Sequence, residues 1–418
     1  MEYKKRVMGG YNLHLIKTDK FKICHVEVIF RNNVDVNEIT KRQFLTKMLC
    51  ENNEDYPSRR KLLLKFEDLY NVSIYGQTSK VGESIITNIC ADFLNPEYTE
   101  KGMVKESIKL LFEMIFKPNV KNKEFDIKSF ELIKERLKDS IKSAYDSPQR
   151  YAVLNALKSL CNTPTSYSNL GSLSDLEDIT PENLYECYEK MLKNDYVDIF
   201  VVGNLDMDEI ADYIDEYAHF KVIKNHPINM YVVNPKIKEK YVADKFDSVQ
   251  SHIVMILNFN NLTDYEKKYV VNLYNMILGG GSLQTKLYKK LRSENSLCYG
   301  VSSYYQKYDG IIIINTSVDI GNSDTAVKLI RAALKDMTNN ISNEEINDAK
   351  ELLVSSLNSI KDDVDRITNN YYYQDLGEID DIETRIKSFK NVTKEEIYAL
   401  SKKISISLVY NLEGGNDE

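Results

Sequence analysis

The sequence has little of the material from which metal sites are usually built. Only five of its 418 residues are histidines, and no two of them are four residues apart, the spacing that places two imidazoles on one helix face. Its six cysteines lie far apart without a Cys-x-x-Cys pair, which argues against a zinc ribbon or a disulfide framework. We interpret His14 and His25, which lie in predicted strands, as packed side chains.

Two further absences argue against membrane and nucleic-acid binding. No apolar run approaches the roughly 20 residues that span a bilayer, and the N-terminal segment MEYKKRVMGGYNLHLI lacks the apolar stretch of a secretory signal. No tract of lysine and arginine stands out, and the net charge is −8, so binding to a phosphate backbone is not favoured. Hydrophobic residues make up 43% of the chain, which indicates a globular protein that we expect in the cytoplasm.

The hydrophobic periodicity predicts an α+β chain built twice. Strand patterns at 11–30, 72–93 and 196–206 are separated by helical patterns, and a similar order begins again with a strand at 251–259. We therefore predict two homologous repeats, each an antiparallel-rich β-sheet with helices on one face.

A residue-level match supports this internal repeat. The segment NVSIYGQTSK at 71–80 resembles SLCYGVSSYY at 296–305, and the match places Tyr75 opposite Tyr299. The predicted boundaries are an N-terminal domain at 1–215, a charged linker at 216–247, a C-terminal domain at 248–413 and a tail at 414–418.

The stretch LGGGSLQTKLYKKLRSENSLCYGVSSYY at 278–305 carries the most information about function. Gly279, Gly280 and Gly281 end a predicted helix and leave the backbone open to close approach. A second predicted helix follows, and near its end Arg292 precedes Tyr299, in the next strand, by seven residues. A guanidinium and a phenol both donate hydrogen bonds, so together they could hold a peptide carbonyl. Spacing alone, however, favours a solvated arginine and a packed tyrosine.

This stretch resembles the C-terminal-domain signature of the insulinase/pitrilysin family of zinc metallopeptidases, in which an arginine and a tyrosine recur at this separation after a glycine-containing helix end. The resemblance covers the chain from about residue 10 to 411. It implies that Arg292 and Tyr299 contact the substrate opposite the zinc, and that Gly279–Gly281 allow a peptide or a partner's backbone to approach.

The zinc motif of that family is degenerate in this sequence. Active members bind zinc through HxxEH on the first helix of the N-terminal domain, where two histidines are ligands and the glutamate activates water. Here the matching residues read QFLTK, so that Gln43 and Lys47 stand at the histidine positions and Thr46 at the glutamate position. An amide is a weak zinc ligand and an ammonium repels the ion, so we predict no catalytic zinc and no peptidase activity in the isolated chain. The long downstream helix contains Glu131 and Glu135, which we interpret as solvated.

The family includes heterodimeric enzymes in which one subunit supplies the metal and the other the Arg/Tyr pair. This chain resembles the second kind, and in particular the zinc-less member of a bacterial pair associated with elongation factor P modification. The resemblance implies an HxxEH-bearing homologous partner that holds the zinc, and an unfolded peptide as the substrate.

Two other hypotheses remain. The first is a catalytically inert scaffold or peptide-binding protein of the same fold. The second is an unrelated activity, but phosphate binding by GGGSLQTK is weakly supported because the Walker pattern requires Ser or Thr after the lysine, and Lys286 is followed by Leu287.

Overall fold

The computed structural model describes residues 1–222, 226–235 and 238–415. Within these ranges the chain forms two main sheets and one short hairpin. The strands are β1 (Glu2–Val7), β2 (Asn12–Lys17), β3 (Ile23–Asn33), β4 (Ser73–Val81), β5 (Ser84–Leu94), β6 (Val120–Lys121), β7 (Glu124–Phe125), β8 (Tyr196–Gly203), β9 (Lys240–Asp247), β10 (Gln250–Phe259), β11 (Cys298–Gln306), β12 (Ile311–Asp319) and β13 (Ile404–Gly415).

Helices connect most of these strands. They are α1 (Ile39–Leu49), α2 (Arg59–Asp68), α3 (Met103–Phe116), α4 (Ile127–Asp146), α5 (Pro148–Leu160), α6 (Leu173–Glu177), α7 (Pro181–Asn194), α8 (Met207–Tyr217), α9 (Val271–Leu278), α10 (Lys286–Tyr288), α11 (Ser323–Asn339), α12 (Asn343–Asn358), α13 (Val364–Asp375), α14 (Ile382–Asn391) and α15 (Lys394–Ser401). Two π-helical segments, Glu266–Val270 and Lys289–Ser293, lead into α9 and continue α10. Among the residues described, no helix has the length and apolarity to span a membrane.

The first sheet has the strand order β1-β2-β8-β3-β5-β4. Its neighbouring strands are antiparallel except for β2 and β8, which are parallel. The long strand β3 lies between β8 and β5 in the interior of the sheet. Seven consecutive residues of it, from Cys24 to Phe30, are therefore buried. Helices α1 and α3 pack on the strands β4 and β5.

The second sheet repeats this topology. Its order is β11-β12-β10-β13-β9, again antiparallel except for one parallel pair, here β13 and β9. Without β1, the first sheet read from β4 to β2 has the same arrangement. The predicted homologous repeats and α+β class are therefore confirmed, and Tyr75 and Tyr299 lie on corresponding edge strands.

The second sheet is covered on both faces. Alternate residues of β10 such as Met255 face a core formed with α9, α11, α12, α14 and α15. The intervening residues Val254 and Ile256 face a separate cluster that contains Ala152, Ala156 and Leu160 of α5. The predicted single layer of helices thus describes one face, and one helix from the first half of the sequence covers part of the other.

The compact units differ from the predicted boundaries. One unit comprises 1–142 and 168–230, and the other comprises 143–167 together with 231 onward. Helix α8 ends at Tyr217, and β9 lies within the predicted linker at 216–247. A polar, largely exposed edge strand has the composition of a linker, which is why β9 was missed. Strand β13 extends to Gly415 into the predicted tail, and 223–225, 236–237 and 416–418 lie outside the described residues.

Candidate functional site

The glycine turn after α9 is shaped by its contact with β11. Gly279 N donates to Asn275 O at 2.9 Å, and Ser303 N donates to Gly279 O at 3.0 Å. Ser303 Oγ also donates to Asn275 Oδ1 at 2.8 Å. A Cβ on Gly279 would lie 2.7 Å from both Leu287 Cδ1 and Ser303 Oγ, so the absence of a side chain at this position lets helix, turn and strand meet.

The other two glycines have different surroundings. A Cβ on Gly280 would lie 2.9 Å from Asn275 O, so this residue is also constrained by the end of α9. Gly281 is exposed and has φ +133°, a backbone conformation that favours glycine, and a Cβ there would meet only Met276 Cε, at 3.8 Å. Close approach from outside, which the resemblance implies for all three glycines, is therefore sterically easiest at Gly281.

Helix α10 is fixed by a capping residue and a buried ion pair. Thr285 Oγ1 accepts from Tyr288 N at 3.3 Å, so the helix begins at Lys286. Lys286 Nζ lies 2.9 Å from Glu345 Oε2 and donates to Asn340 O at 2.5 Å. Burial acts to raise the pKa of Glu345, but hydrogen bonds with Lys286 and the backbone lower it. The lysine of GGGSLQTK is thus neutralised within the protein, which gives no support to phosphate binding.

The structure brings Arg292 and Tyr299 together. Arg292 lies in the π-helical segment after α10, and its guanidinium carbon is 5.1 Å from the centroid of the Tyr299 ring, a cation–π contact. Its Nη1 donates to Cys298 O at 3.2 Å. Tyr299 is 80% exposed. One charged donor and one phenol are therefore held side by side at the protein surface.

A β-bulge directs Tyr299 outward. The pairing of β11 with β12 shifts register between Cys298 and Val301, so the two residues between them leave the regular ladder. Thr316 Oγ1 donates to Gly300 O at 2.9 Å and holds the bulged backbone. The bulge explains how an aromatic residue in a strand avoids the core.

Cys298 beside this pair is a packed thiol. Its side chain is buried, and burial raises its pKa although a hydrogen bond with Thr316 and the charge of Arg292 act to lower it. A thiol with a raised pKa is protonated at neutral pH and is a poor nucleophile. Cys298 therefore does not provide an activated nucleophile beside the pair.

The degenerate zinc-motif positions lie on α1, where their side chains make internal contacts. Gln43 Nε2 donates to Thr78 O at 2.7 Å and to Asn169 O at 2.6 Å. Thr46 is buried; its Oγ1 donates to Arg42 O at 2.7 Å and lies 2.7 Å from Thr78 Oγ1. The Gln43 amide group and the Thr46 hydroxyl therefore hold α1 against β4.

The remaining residues near α1 do not supply metal ligands. Lys47 is exposed, and its ammonium has no lone pair to offer. Glu131 and Glu135 are both exposed on α4, as expected for a solvated face. Arg42 forms a buried ion pair in which Nη1 lies 2.6 Å from Asp195 Oδ2, which fixes the helix without help from an ion. This donor set does not fit the zinc of the HxxEH motif.

A loop that the sequence did not indicate closes over the same region. Asn169 Oδ1 accepts from Lys80 N at 2.9 Å, at the end of the edge strand β4. Ser172 N donates to Thr40 Oγ1 at 3.1 Å. A Cβ on Gly171 would lie 2.4 Å from that same oxygen, so the loop lies directly against the start of α1. No local signal identifies these contacts, because each joins residues about 90 or more positions apart.

Sequence comparisons relate this chain to peptidase homologues. Residues 178–353 match the family described as Peptidase M16 inactive domain. A probable inactive metalloprotease of Bacillus subtilis, YmfF, is 26% identical over 414 residues, covering 97% of this chain and 96% of the relative.

Structural comparisons give the same fold over the whole chain. A conserved protein from Enterococcus faecalis superposes with a TM-score of 0.92 at 25% identity, covering 100% of this chain and 99% of the other. A peptidase M16 inactive domain from Pseudomonas fluorescens has a TM-score of 0.79 at 17% identity, covering 100% and 99% of the two chains. The second likeness concerns the fold alone.

Proposed function

Since this chain belongs to the M16 peptidase family as an inactive, metalloprotease-like member, we propose that it is the zinc-less subunit of a two-chain cytoplasmic peptidase. In this proposal it closes with a homologous HxxEH-bearing chain around an unfolded peptide. Arg292 and Tyr299 bind the backbone of that peptide near the bond that the partner cleaves.

The observation that carries the proposal is the contact between Arg292 and Tyr299 at the protein surface. The guanidinium is 5.1 Å from the ring centroid, and the phenol is exposed on a bulged edge strand. Two donors held next to each other before substrate arrives can bind a carbonyl oxygen with little reorganisation, and they stabilise the negative charge that develops there during hydrolysis.

The partner is required by the chemistry that α1 does not supply. Gln43 and Thr46 hold β4, and Lys47 carries a positive charge into solvent. Water activation at a zinc ion therefore belongs to the second chain, whose zinc is held by its own HxxEH motif. This subunit contributes substrate binding and no cofactor to the shared site.

Co-purification tests the partnership directly. The tagged chain, isolated from its native host at low ionic strength, is expected to elute at about twice its 48.4 kDa mass with a stoichiometric HxxEH-bearing chain identified by mass spectrometry. Elution alone, or as a homodimer, under conditions that preserve other complexes would contradict the proposal.

A specific observation favours the alternative, an inert scaffold or peptide-binding protein of this fold. Gly279 and Gly280 have steric reasons within the chain for lacking a side chain, so the glycine turn does not by itself require a substrate. Arg292→Ala distinguishes the two functions. If this chain is only a scaffold, the substitution leaves the turnover of the two-chain complex unchanged.

A further inference from the structure

Four chemically reactive side chains meet on one face of the first sheet, away from α1. Strands β3 and β5 are antiparallel neighbours, and their register pairs His25 with Asp92 and Glu27 with Cys90. Residues two apart on a strand share a face, so both pairs project to the same side. The sequence shows this only as His-x-Glu and Cys-x-Asp on two distant strands.

Three potential metal ligands converge in this cluster. The ligand atoms of His25, Glu27 and Cys90 all lie within 4.8 Å of one another, and His25 Nε2 is 3.5 Å from Glu27 Oε2. All three residues are buried, with exposures of 1%, 5% and 3%. A nitrogen, an oxygen and a sulfur at such distances need only small side-chain shifts to reach the roughly 2.0–2.3 Å bonds of a tetrahedral zinc site.

The outer atoms of two ligands are already fixed by neighbours. Asp92 Oδ1 lies 2.7 Å from His25 Nδ1, and Asn88 Nδ2 donates to Glu27 Oε1 at 2.5 Å. A carboxylate on one ring nitrogen sets the tautomer in which the other nitrogen carries the lone pair. These contacts direct His25 Nε2 and Glu27 Oε2 towards each other. Asp92 and Asn88 thus orient the two ligands in the way that hydrogen-bond partners behind metal ligands do.

We propose that His25 Nε2, Glu27 Oε2 and Cys90 Sγ bind a divalent transition-metal ion, Zn²⁺ by its preference for mixed nitrogen, oxygen and sulfur ligands. The site lies on the sheet and is separate from the degenerate motif at Gln43. Asp92 and Asn88 act as positioning residues. Binding releases the thiol proton, so that a thiolate and a carboxylate balance the charge of the ion.

A proton is the competing occupant. Burial alone would lower the pKa of His25, but hydrogen bonds with Asp92 and Glu27 raise it to about 9. Both carboxylates contact the imidazole, at 2.7 Å and 3.5 Å, so Zn²⁺ competes with a proton for Nε2.

Metal content and cobalt spectroscopy test the site in the full-length chain. Protein produced in zinc-supplemented medium is expected to retain one Zn²⁺ per chain after gel filtration. Replacement by Co²⁺ should give the near-ultraviolet absorption of a thiolate–cobalt bond. Cys90→Ser removes both signals, whereas Cys187→Ser, an equally buried cysteine at 3% exposure, retains them. Asp92→Asn, which keeps all three ligands, is expected to weaken Zn²⁺ binding roughly 10- to 100-fold.

Three results would overturn the proposal. They are a folded wild-type chain that binds neither Zn²⁺ nor Co²⁺, Cys90→Ser protein that retains stoichiometric zinc, and a wild-type cobalt complex without thiolate absorption. The last measurement needs no variant, so the proposal stays testable if Cys90→Ser does not fold. None of these outcomes depends on peptidase activity or on a partner subunit.

Discussion

At the scale of single residues, Arg292 and Tyr299 each lie in an irregular part of a secondary-structure element. A π-helical turn carries the arginine and a β-bulge carries the tyrosine. Both irregularities add a residue to a regular element, and both are frequent at functional sites because they re-aim a side chain. The contact across the seven-residue spacing is thus made between two irregular elements.

Truncation of Arg292 tests the role of the pair. In the proposed complex with an HxxEH-bearing chain, Arg292→Ala is expected to lower turnover by roughly 100- to 1,000-fold, because one donor to the developing negative charge is lost. Assembly should be unchanged. Peptide-cleavage kinetics and gel filtration of the same preparation measure the two effects.

The matched controls lie elsewhere in the same unit. Arg331 is a partly exposed arginine paired with Glu239, and Tyr241 is an exposed tyrosine on β9, the opposite edge strand from β11. Arg331→Ala and Tyr241→Ala should leave turnover unaltered. Equal turnover in Arg292→Ala and Arg331→Ala complexes would refute substrate binding by the pair.

Substitution of Gly279 tests the packing of the turn. Gly279→Ala places a methyl group 2.9 Å from the backbone nitrogen of Ser303, so strand and helix must separate. We expect a loss of about 1–3 kcal/mol in the free energy of unfolding, as for other overpacked positions. Gly300→Ala is the control, since a Cβ there has nothing within 4 Å. Chemical denaturation measures both, and equal stabilities would contradict the packing role.

At the scale of secondary-structure elements, α1 and β4 form a closed unit with the loop at 168–172. Gln43 donates to a carbonyl of β4 and to one of the loop, and Asn169 Oδ1 accepts a hydrogen bond from Lys80 N of β4. Of the three positions that resemble the zinc motif, Gln43 and Thr46 therefore serve as structural contacts, whereas Lys47 is exposed.

Removal of the Gln43 amide is expected to loosen this closure. Gln43→Ala leaves two carbonyls without their donor and should lower stability by about 1–2 kcal/mol. Hydrogen exchange at the Lys80 amide, which donates to Asn169, should become faster. Lys47→Ala, on the same helix and exposed, is expected to change stability by no more than about 0.5 kcal/mol. Unchanged exchange at Lys80 in Gln43→Ala protein would show that the amide does not hold the loop.

At the scale of the whole molecule, α5 shows that the two compact units are not consecutive halves of the chain. The helix belongs by sequence to the first repeat, and its buried alanines pack on the second sheet. Small residues at these positions allow the helix backbone to lie close to strands β9, β10 and β13. The core of the second unit is therefore completed by residues more than 90 positions upstream.

A buried charge on α5 is expected to disturb the second sheet. Ala156→Glu places a carboxylate in an apolar cluster and should cost about 3 kcal/mol or more. Hydrogen exchange should accelerate in β10 and β13, which the helix covers. Lys158→Glu, an exposed position on the same helix, is the control. If both variants exchange alike in β10 and β13, α5 does not stabilise that face.

Sequence alone determined the features that are encoded locally or by repetition. Hydrophobic periodicity placed most strands and helices, the match of 71–80 with 296–305 revealed the repeat, and QFLTK showed the lost ligands. Each of these is readable within one short segment or by comparing two segments. The Arg292–Tyr299 pair was singled out only by its resemblance to a family signature, since its spacing alone favoured a solvated arginine and a packed tyrosine.

Tertiary structure decided the features that depend on contacts between distant segments. The loop at 168–172 closing over α1, the packing of α5 on the second sheet and the edge strand β9 all join residues far apart in the chain. The cluster of His25, Glu27 and Cys90 forms because β3 and β5 pair in one register, and a shift of one residue would turn Cys90 to the other face. Periodicity cannot select that register, since it describes each strand by itself.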